Sequence, residues 1–418
     1  MGRSDMIHIM KEPLGRVVAV CDLDADRLIQ GKKLAEDHYS GRGEKRVNIR
    51  AVQDYRELLS SDQIDAVIIS VPDHSHALVA VDAVLAGKHV YIQKPVTYSI
   101  AEAIGLRKAV QHSKVILQTG SQQRSELPWG SFRAASEAVR NGRIGQLRRI
   151  KIGVGLDRPS SQKPLPMPVP ANLDYEHWLG PAPLQDYMET RVHPQNSLSG
   201  RPGWITTEDF GLGMITNWGA HHLDIAQWAM GQELGGPLTA EAEATFFTDD
   251  VWTVHGSYHV EMSYPGGVKL ELDNKHEVGI QFEGDEGWVF CRRSAEQVTA
   301  SDPNATANQV KALRASDPKL LTPLGNNAVV WMPSKSHYGN WLESIAANRQ
   351  PIAPIQQSAR TLTACCVSWI SMKLGRKVRW DAVTERFLED AEANAFCERK
   401  ARRPEYDYAM RLKERGII

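Results

Sequence analysis

The stretch from Thr216 to Trp228, TNWGAHHLDIAQW, places an amide, two adjacent imidazoles and a carboxylate in one apolar, tryptophan-flanked segment. Residues three and four apart share a helix face, so Asn217, His221 and Asp224 would line one stripe. Gly219, Leu223, Ala226 and Met230 form an apolar stripe roughly opposite. His222 is turned from His221 by ~100°, so the two rings are not expected to share one role. Three chemistries compete here: metal binding, acid/base work, and a buried helix whose histidines are merely satisfied. A zinc pair would need His at both i and i+4. Position i is Asn217, a poor ligand, and no metal is expected. An imidazole titrates near neutrality and suits proton handling. Asn217 could orient His221 but could not stabilise its charged form as an Asp would.

Such a stripe needs a scaffold, and the first part of the chain supplies a pattern of alternating strands and helices. Arg16–Asp24 is a short apolar, β-branched run ending in acids, and Asp24 to Tyr39 has helical spacing. Asp65–Asp73, His89–Pro95 and Lys114–Gly120 repeat the strand pattern, with helical segments between them. Strand–helix alternation implies a parallel, doubly wound sheet. Ligands of such sheets lie beyond the carboxyl ends of the strands. The residues to examine are therefore Asp22, Pro72 to His76, Gln93 to Pro95 and Gln118 to Arg124. Asp22 at a strand end matches the acid that bonds ribose hydroxyls and disfavours a 2′-phosphate. The alternative for Asp22 is a turn or cap residue.

No glycine-rich loop precedes Arg16–Asp24. Gly2 lies 20 positions before Asp22, the offset of the last glycine of G-x-G-x-x-G. The expectation is that Met1 falls inside that loop, with a central first strand and two glycines ahead of it. The alternative is a sheet that lacks this strand. In either case two strands are left open or forced to pair with each other.

From about Leu147 the pattern changes to an antiparallel sheet. Leu147–Leu156 is a strand, Asp157–Pro170 a Pro-rich extended loop, and Leu173–Pro202 a long ordered insertion of the kind that is often functional. Alternating segments follow at 238–247, 253–264, 267–276 and 278–291, with turns at Pro265–Gly267 and Gly284–Gly287. Two helices and a charged helical tail complete the chain. The expected domains are 1–121, a nucleotide-binding unit; 122–380, an α+β substrate and oligomerisation unit; and 381–418, a charged extension.

Taken in order, VPDHSHA, YIQKPVT, GLGMITNWGAHHLD, WLESIAANRQPI and LGRKVRWD resemble the motifs of the Gfo/Idh/MocA family of oxidoreductases. The likeness runs from Gly2 to about Arg403. It implies a Rossmann domain followed by a large, mainly antiparallel open sheet, homodimers or homotetramers through that sheet, and NAD(P)-dependent oxidation of a carbohydrate or polyol. Position by position, it implies Lys94 as the catalytic lysine, His221 as the catalytic histidine with Asn217 beside it, and Asp22 as the ribose acid. The cofactor set expected at the strand ends is Gly2, Asp22, Ser70, Pro72, His76, Gln93, Lys94 and Gln122, with NAD favoured over NADP by Asp22. Two departures stand out. Gln93 replaces the family's usual Glu, and Asn217 replaces the Asp of several dehydrogenases. The second shifts weight onto Lys94 or onto another acid such as Asp224. For the substrate, Arg124, Trp218, His222, Tyr187 and Arg191 offer ring faces and bidentate donors, with a plain core role the alternative for Trp218.

Bulk properties narrow the rest. A formal net charge of −1 gives no basic field for nucleic acid or acidic lipid. No apolar run approaches ~18 residues. Cys21, Cys291, Cys365, Cys366 and Cys397 form no C-x-x-C pair, which argues against a disulfide framework and for a reducing compartment. The expected location is cytoplasmic, or periplasmic if an export signal preceded Met1. Two other functions compete with a dehydrogenase. One is a glycoside hydrolase that uses NAD transiently through oxidation, elimination, hydration and reduction. The other is a non-catalytic sugar-binding protein, to which Gln93, Asn217 and the absent glycine loop lean.

Overall fold

The computed structural model describes residues 1–197, 201–248, 250–293 and 311–418. Residues 198–200 of the expected insertion lie outside it. In chain order the first unit comprises α1 (Gly2–Ile9), β1 (Ala19–Cys21), α2 (Ala25–Gly41), β2 (Arg50–Val52), α3 (Tyr55–Leu59), β3 (Ala66–Ile69), α4 (His76–Leu85), β4 (His89–Ile92), α5 (Ile100–Ser113) and β5 (Leu117–Thr119). Local chemistry explains the helix starts. Asp24 caps α2 by accepting from the amides of Asp26 (3.0 Å) and Arg27 (3.2 Å). Ser99 and Glu102 form a reciprocal capping box on α5, a device of about 1 kcal/mol. At α1 no side chain caps the first turn, so its amides stay available to a ligand.

All pairings among these strands are parallel, but the sheet is in two pieces. β1 pairs with β2, and β3–β4–β5 form a separate ladder. Among the described residues no strand joins β1 to β3. Their facing edges stay open rather than pairing with each other, and one continuous cavity runs between them. β2 was not expected from the sequence, and the other strands are shorter than their apolar runs.

The second unit begins with α6 (Gly130–Arg140), β6 (Leu147–Gly153), α7 (Tyr175–Leu179), α8 (Met214–Asn217) and α9 (Gly219–Met230). β7 (Thr239–Phe246), β8 (His255–Ser263), β9 (Lys269–Asp273), β10 (Gly279–Gly284), β11 (Gly287–Cys291) and β12 (Leu313–Ala315) follow. α10 (His337–Ala346), α11 (Ile355–Leu374), β13 (Val378–Asp381) and β14 (Arg386–Phe387) close the unit. The nine strands run in the order β12-β11-β10-β6-β9-β8-β7-β13-β14. Only the β6–β9 pair is parallel; the rest are antiparallel. α9 and α11 are buried nearly all round, as expected for helices sandwiched between layers.

Two further segments position the cleft. The 173–210 insertion has its own core of Leu173, Tyr175, Trp178, Leu179, Tyr187 and Phe210. It is clasped to the end of β1 by an Asp24–Leu173 bridge and by His193 on Asp24 (3.0 Å). The tail carries α12 (Ala391–Ala395) and α13 (Tyr408–Glu414). It returns to the first unit, where Arg399 pairs with Glu102 (3.0 Å) on α5 and Arg411 with Asp82 on α4.

Candidate active site

The carboxyl ends of the parallel strands face the second unit across a cavity of about 1690 Å³. Gly2, Asp22, Ser70, Pro72, His76, Gln93, Lys94 and Gln122 line it from the first unit, and Asn217, Trp218, His221, Arg201 and Arg293 from the second. The whole cofactor set expected from the strand ends therefore lies on one surface, together with the expected acid/base pair.

Each of these side chains is placed by a local cause. Buried Asp5 on α1 accepts from Ser70 Oγ (2.5 Å), Gln93 Nε2 (2.8 Å) and Tyr338 Oη (2.6 Å). It thereby ties the start of α1 to the ends of β3 and β4. Gln93 thus serves as a donor to a carboxylate, which a Glu could not do while ionised. Gln122 donates to Tyr338 Oη (3.0 Å). Both ring nitrogens of His76 face carbonyls, Pro95 O at 2.7 Å and Val71 O at 3.0 Å. Burial pushes that ring down to about 4, so His76 is neutral and its single N–H donates to one of the two carbonyls. Asp22 accepts from the Asp24 amide (3.0 Å), and burial raises its carboxyl to about 6.

Lys94 lies just beyond β4 and donates to the Asn217 carbonyl at 2.8 Å. Burial lowers its amine to about 8; Asp73 opposes that shift, while Arg293 and Arg201 add to it. His221 is held well below neutrality by burial and by the charges of Arg293 and Lys94. It is a neutral imidazole, and no hydrogen bond reaches its Nδ1 among the described residues. The amide at 217 is compatible with this state, because no imidazolium needs stabilising. The expected single helix is broken at Trp218 into α8 and α9. Asp157 caps the start of α8, ahead of that break: it accepts from the Met214 amide (2.7 Å) and pairs with Arg201 (2.6 Å). Gly213, at φ +72°, is needed at this turn, since a Cβ there would sit 2.8 Å from that carboxylate.

The substrate candidates divide. Trp218 borders the cleft, and the Arg293 guanidinium lies 4.2 Å over its ring and 3.9 Å over Trp129. With its amide oriented to satisfy both neighbours, Gln123 donates to the His221 carbonyl and accepts from Arg293 Nε, each at 3.1 Å. The other four candidates do not line the cleft. Arg124 is 1% exposed and forms a bidentate pair with Asp224 (2.7 and 2.8 Å). This corrects its assignment to the substrate, and it also removes Asp224 as a proton partner for Lys94. His222 is enclosed between Phe132 and Trp218 and bonds the Gly153 backbone. Tyr187 packs inside the insertion, and Arg191 is half-buried in the same segment.

Arg201 and Arg293 reach the cleft although the sequence did not single them out, and Asp73, inside the strand-end segment Pro72 to His76, reaches it without having been given a role of its own. Asp73 sits directly after a strand-end proline, which was the available signal. Arg293 follows β11, and nothing in its local pattern marks it. Among the described residues no three His, Cys, Asp or Glu side chains converge as a metal would require, and no helix is long and apolar enough to cross a membrane.

The residues present fit a dinucleotide. An acid ends β1, a glycine opens an uncapped helix at the cleft, and the ends of β1, β3 and β4 line one cavity on either side of the gap between the two ladders. Comparison with known proteins agrees. Residues 4–121 match the family described as "Oxidoreductase family, NAD-binding Rossmann fold", and residues 160–407 match its "C-terminal alpha/beta domain". The uncharacterised oxidoreductase YrbE of Bacillus subtilis is 29% identical over 194 residues, 46% of this chain and 48% of that protein. The myo-inositol 2-dehydrogenase of Thermotoga maritima is 29% identical over 157 residues, 38% of this chain and 40% of the relative. The matched stretches thus span about half or less of these curated relatives. The WlbA dehydrogenase of Bordetella pertussis, solved with NADH and UDP-GlcNAcA, shares the fold with a TM-score of 0.62 at 15% identity, covering 91% of this chain and 96% of that one. The two family matches together take in most of the chain, and the protein belongs to the Gfo/Idh/MocA oxidoreductase family, with an NAD-binding Rossmann fold and a C-terminal α/β domain.

Proposed function

We propose that the protein is an NAD-dependent dehydrogenase of a carbohydrate or polyol hydroxyl. The observation that carries this is the Lys94 amine, lowered to about 8, lining one cleft with neutral His221. Gly2, Asp22, Ser70, Pro72 and Gln93 would hold the cofactor, which when bound supplies a hydride acceptor. Asp22 favours NAD over NADP, because its carboxylate repels a 2′-phosphate.

The chain's own residues handle the proton. At pH 7 roughly a tenth of a base of this strength is unprotonated, enough to accept the hydroxyl proton as the C–H bond breaks. The Asn217 carbonyl fixes the ammonium head at 2.8 Å. His221 offers the substrate oxygen a neutral donor. We also propose a homodimer or homotetramer through the outer face of the nine-stranded sheet, tested by sedimentation.

The test is to add polyols and aldoses to the purified chain with NAD⁺ and follow the absorbance of reduced nicotinamide. NADH accumulating with at least one sugar or polyol is the expected result. Release of aglycone from an aryl glycoside without NADH would replace this reading with the hydrolase. Absence of NAD⁺ binding in calorimetry would replace it with a non-catalytic role.

A further inference from the structure

The site has a lysine and a histidine, but position 217 offers no carboxylate to work with them. The nearby acids of the second unit are already occupied. Asp224 is locked by Arg124 and by Thr361 Oγ1 (3.0 Å), and Asp157 by Arg201 and the Met214 amide. One acid remains on the inner wall. β3 and β4 are paired in parallel with Ile69 opposite Ile92. Lys94, two residues beyond Ile92, therefore emerges beside the turn that carries Pro72 and Asp73. Asp73 is 4% exposed and lines the same cavity as Lys94, Asn217 and His221. Among the described residues no hydrogen bond or ion pair holds its carboxylate. Its Oδ2 faces Gly211, 3.4 Å from where a Cβ there would stand.

We propose that Asp73 is the acid partner of Lys94 in this site: from the end of β3, across the shared cavity and without a direct ion pair, its charge acts on the ammonium that the Asn217 carbonyl holds, the electrostatic task an Asp at 217 would perform from α8. This deepens the dehydrogenase reading and rests on it for its catalytic consequence only. The electrostatics point the same way. Asp73 is the largest influence raising the Lys94 amine against burial, and Lys94 is the largest opposing the burial that lifts Asp73 to about 7. The other charged or titratable groups facing the pair are Arg293 after β11, Arg201 in the insertion, His221 on α9, His76 on α4, Cys365 on α11 and Arg399 in the tail. None of these is a carboxylate, which leaves Asp73 as the carboxyl group facing the amine among them.

The test needs neither cofactor nor substrate. Lys94 in the purified full chain is labelled with acetic anhydride across pH, and the modified peptide is quantified by mass spectrometry. Removing a neighbouring negative charge makes the amine lose its proton more readily. Asp73→Asn is therefore expected to move the labelling midpoint down by about one pH unit or more, and Asp73→Glu to restore most of it. An unchanged or raised midpoint in folded D73N overturns the proposal. If D73N does not fold, Lys94→Met is read instead through carbon-13 NMR of the Asp73 carboxyl. Its titration is expected to move up once the ammonium is gone, and an unmoved titration overturns the proposal equally. A coupling that appears in these titrations while no sugar yields NADH would sink the dehydrogenase reading and leave the Asp73–Lys94 partnership standing.

Discussion

Replacing Arg124 by methionine distinguishes a buried strut from a substrate contact. The guanidinium is 1% exposed, donates from Nε and Nη2 to Asp224 at 2.7 and 2.8 Å, and donates from Nη1 to the Ile352 carbonyl at 3.1 Å. It also lies 5.1 Å over the Trp228 ring. Methionine fills much of that volume without charge. Left behind among the described residues is the Asp224 carboxylate, also 1% exposed, with the Thr361 hydroxyl at 3.0 Å as its remaining side-chain partner there. Breaking a buried pair from one side costs about 3–5 kcal/mol, because the remaining charge is uncompensated. At about 1.4 kcal/mol per decade, that lowers the folding equilibrium constant by roughly two to four powers of ten. The double variant R124M/D224N removes the orphan charge and is expected to be more stable than R124M alone. Urea titrations followed by circular dichroism measure the midpoints, with unchanged slope showing that stability alone moved. In folded R124M the KM values for cofactor and sugar are expected to stay within a few-fold. A stability loss under about 1 kcal/mol, together with a KM raised tenfold or more, would return Arg124 to the ligand and refute the burial reasoning.

Other outcomes follow from the same geometry. Lys94→Met is expected to lower kcat/KM by about 10²–10⁴-fold while calorimetric NAD⁺ affinity changes little; retention of more than a tenth of the activity would remove the lysine as base. In the unmodified protein kcat/KM is expected to fall about tenfold per pH unit below the Lys94 value of about 8, and a flat profile down to pH 6 would contradict that. Asp22, raised to about 6 by burial, loses its charge as pH falls through that value. NAD⁺ affinity is then expected to weaken below pH 6, and in Asp22→Asn to become insensitive to pH in this range. A five- or six-residue apolar, β-branched segment fused ahead of Met1 is expected to lie between the open edges of β1 and β3, slowing amide exchange at Val18–Cys21 and Ala66–Ile69. Unaltered exchange there would show that the gap does not accept a strand.

How far the sequence revealed this site depends on which interactions are local. The first-unit strands were legible as continuous apolar runs, the pattern of strands buried on both faces, although only β4 and β5 are so enclosed while β1 and β3 stay largely half-buried. Their short observed lengths were not, since ladder length depends on neighbours, and β1 and β3 each have a partner on one side only. β2 escaped notice because three residues, Arg50 to Val52, carry too little pattern for period-two alternation to show. The start of α8 was invisible for a related reason: it is fixed by Asp157 and Gly213, and Asp157 is 57 residues from the amide it caps. The Lys94 and His221 positions were legible because each is marked by its own neighbours, a proline after a strand and an i, i+4 stripe. Arg124 misled because a charge in a strand-end segment resembles a site residue until its partner, 100 positions away, is seen. Asp73 shows the converse. Its surroundings read as a turn, and only the register of β3 on β4 brings it beside the lysine. Buried charge alone therefore does not separate strut from site here. Arg124 and Asp224 are both enclosed and both charged, yet each is spent on the other. Asp73 is just as enclosed but has no hydrogen bond or ion pair among the described residues, and it faces a titratable amine across the wall of the cleft. Folding has left that carboxylate uncommitted, and this is the physical ground for giving the acid's role to position 73.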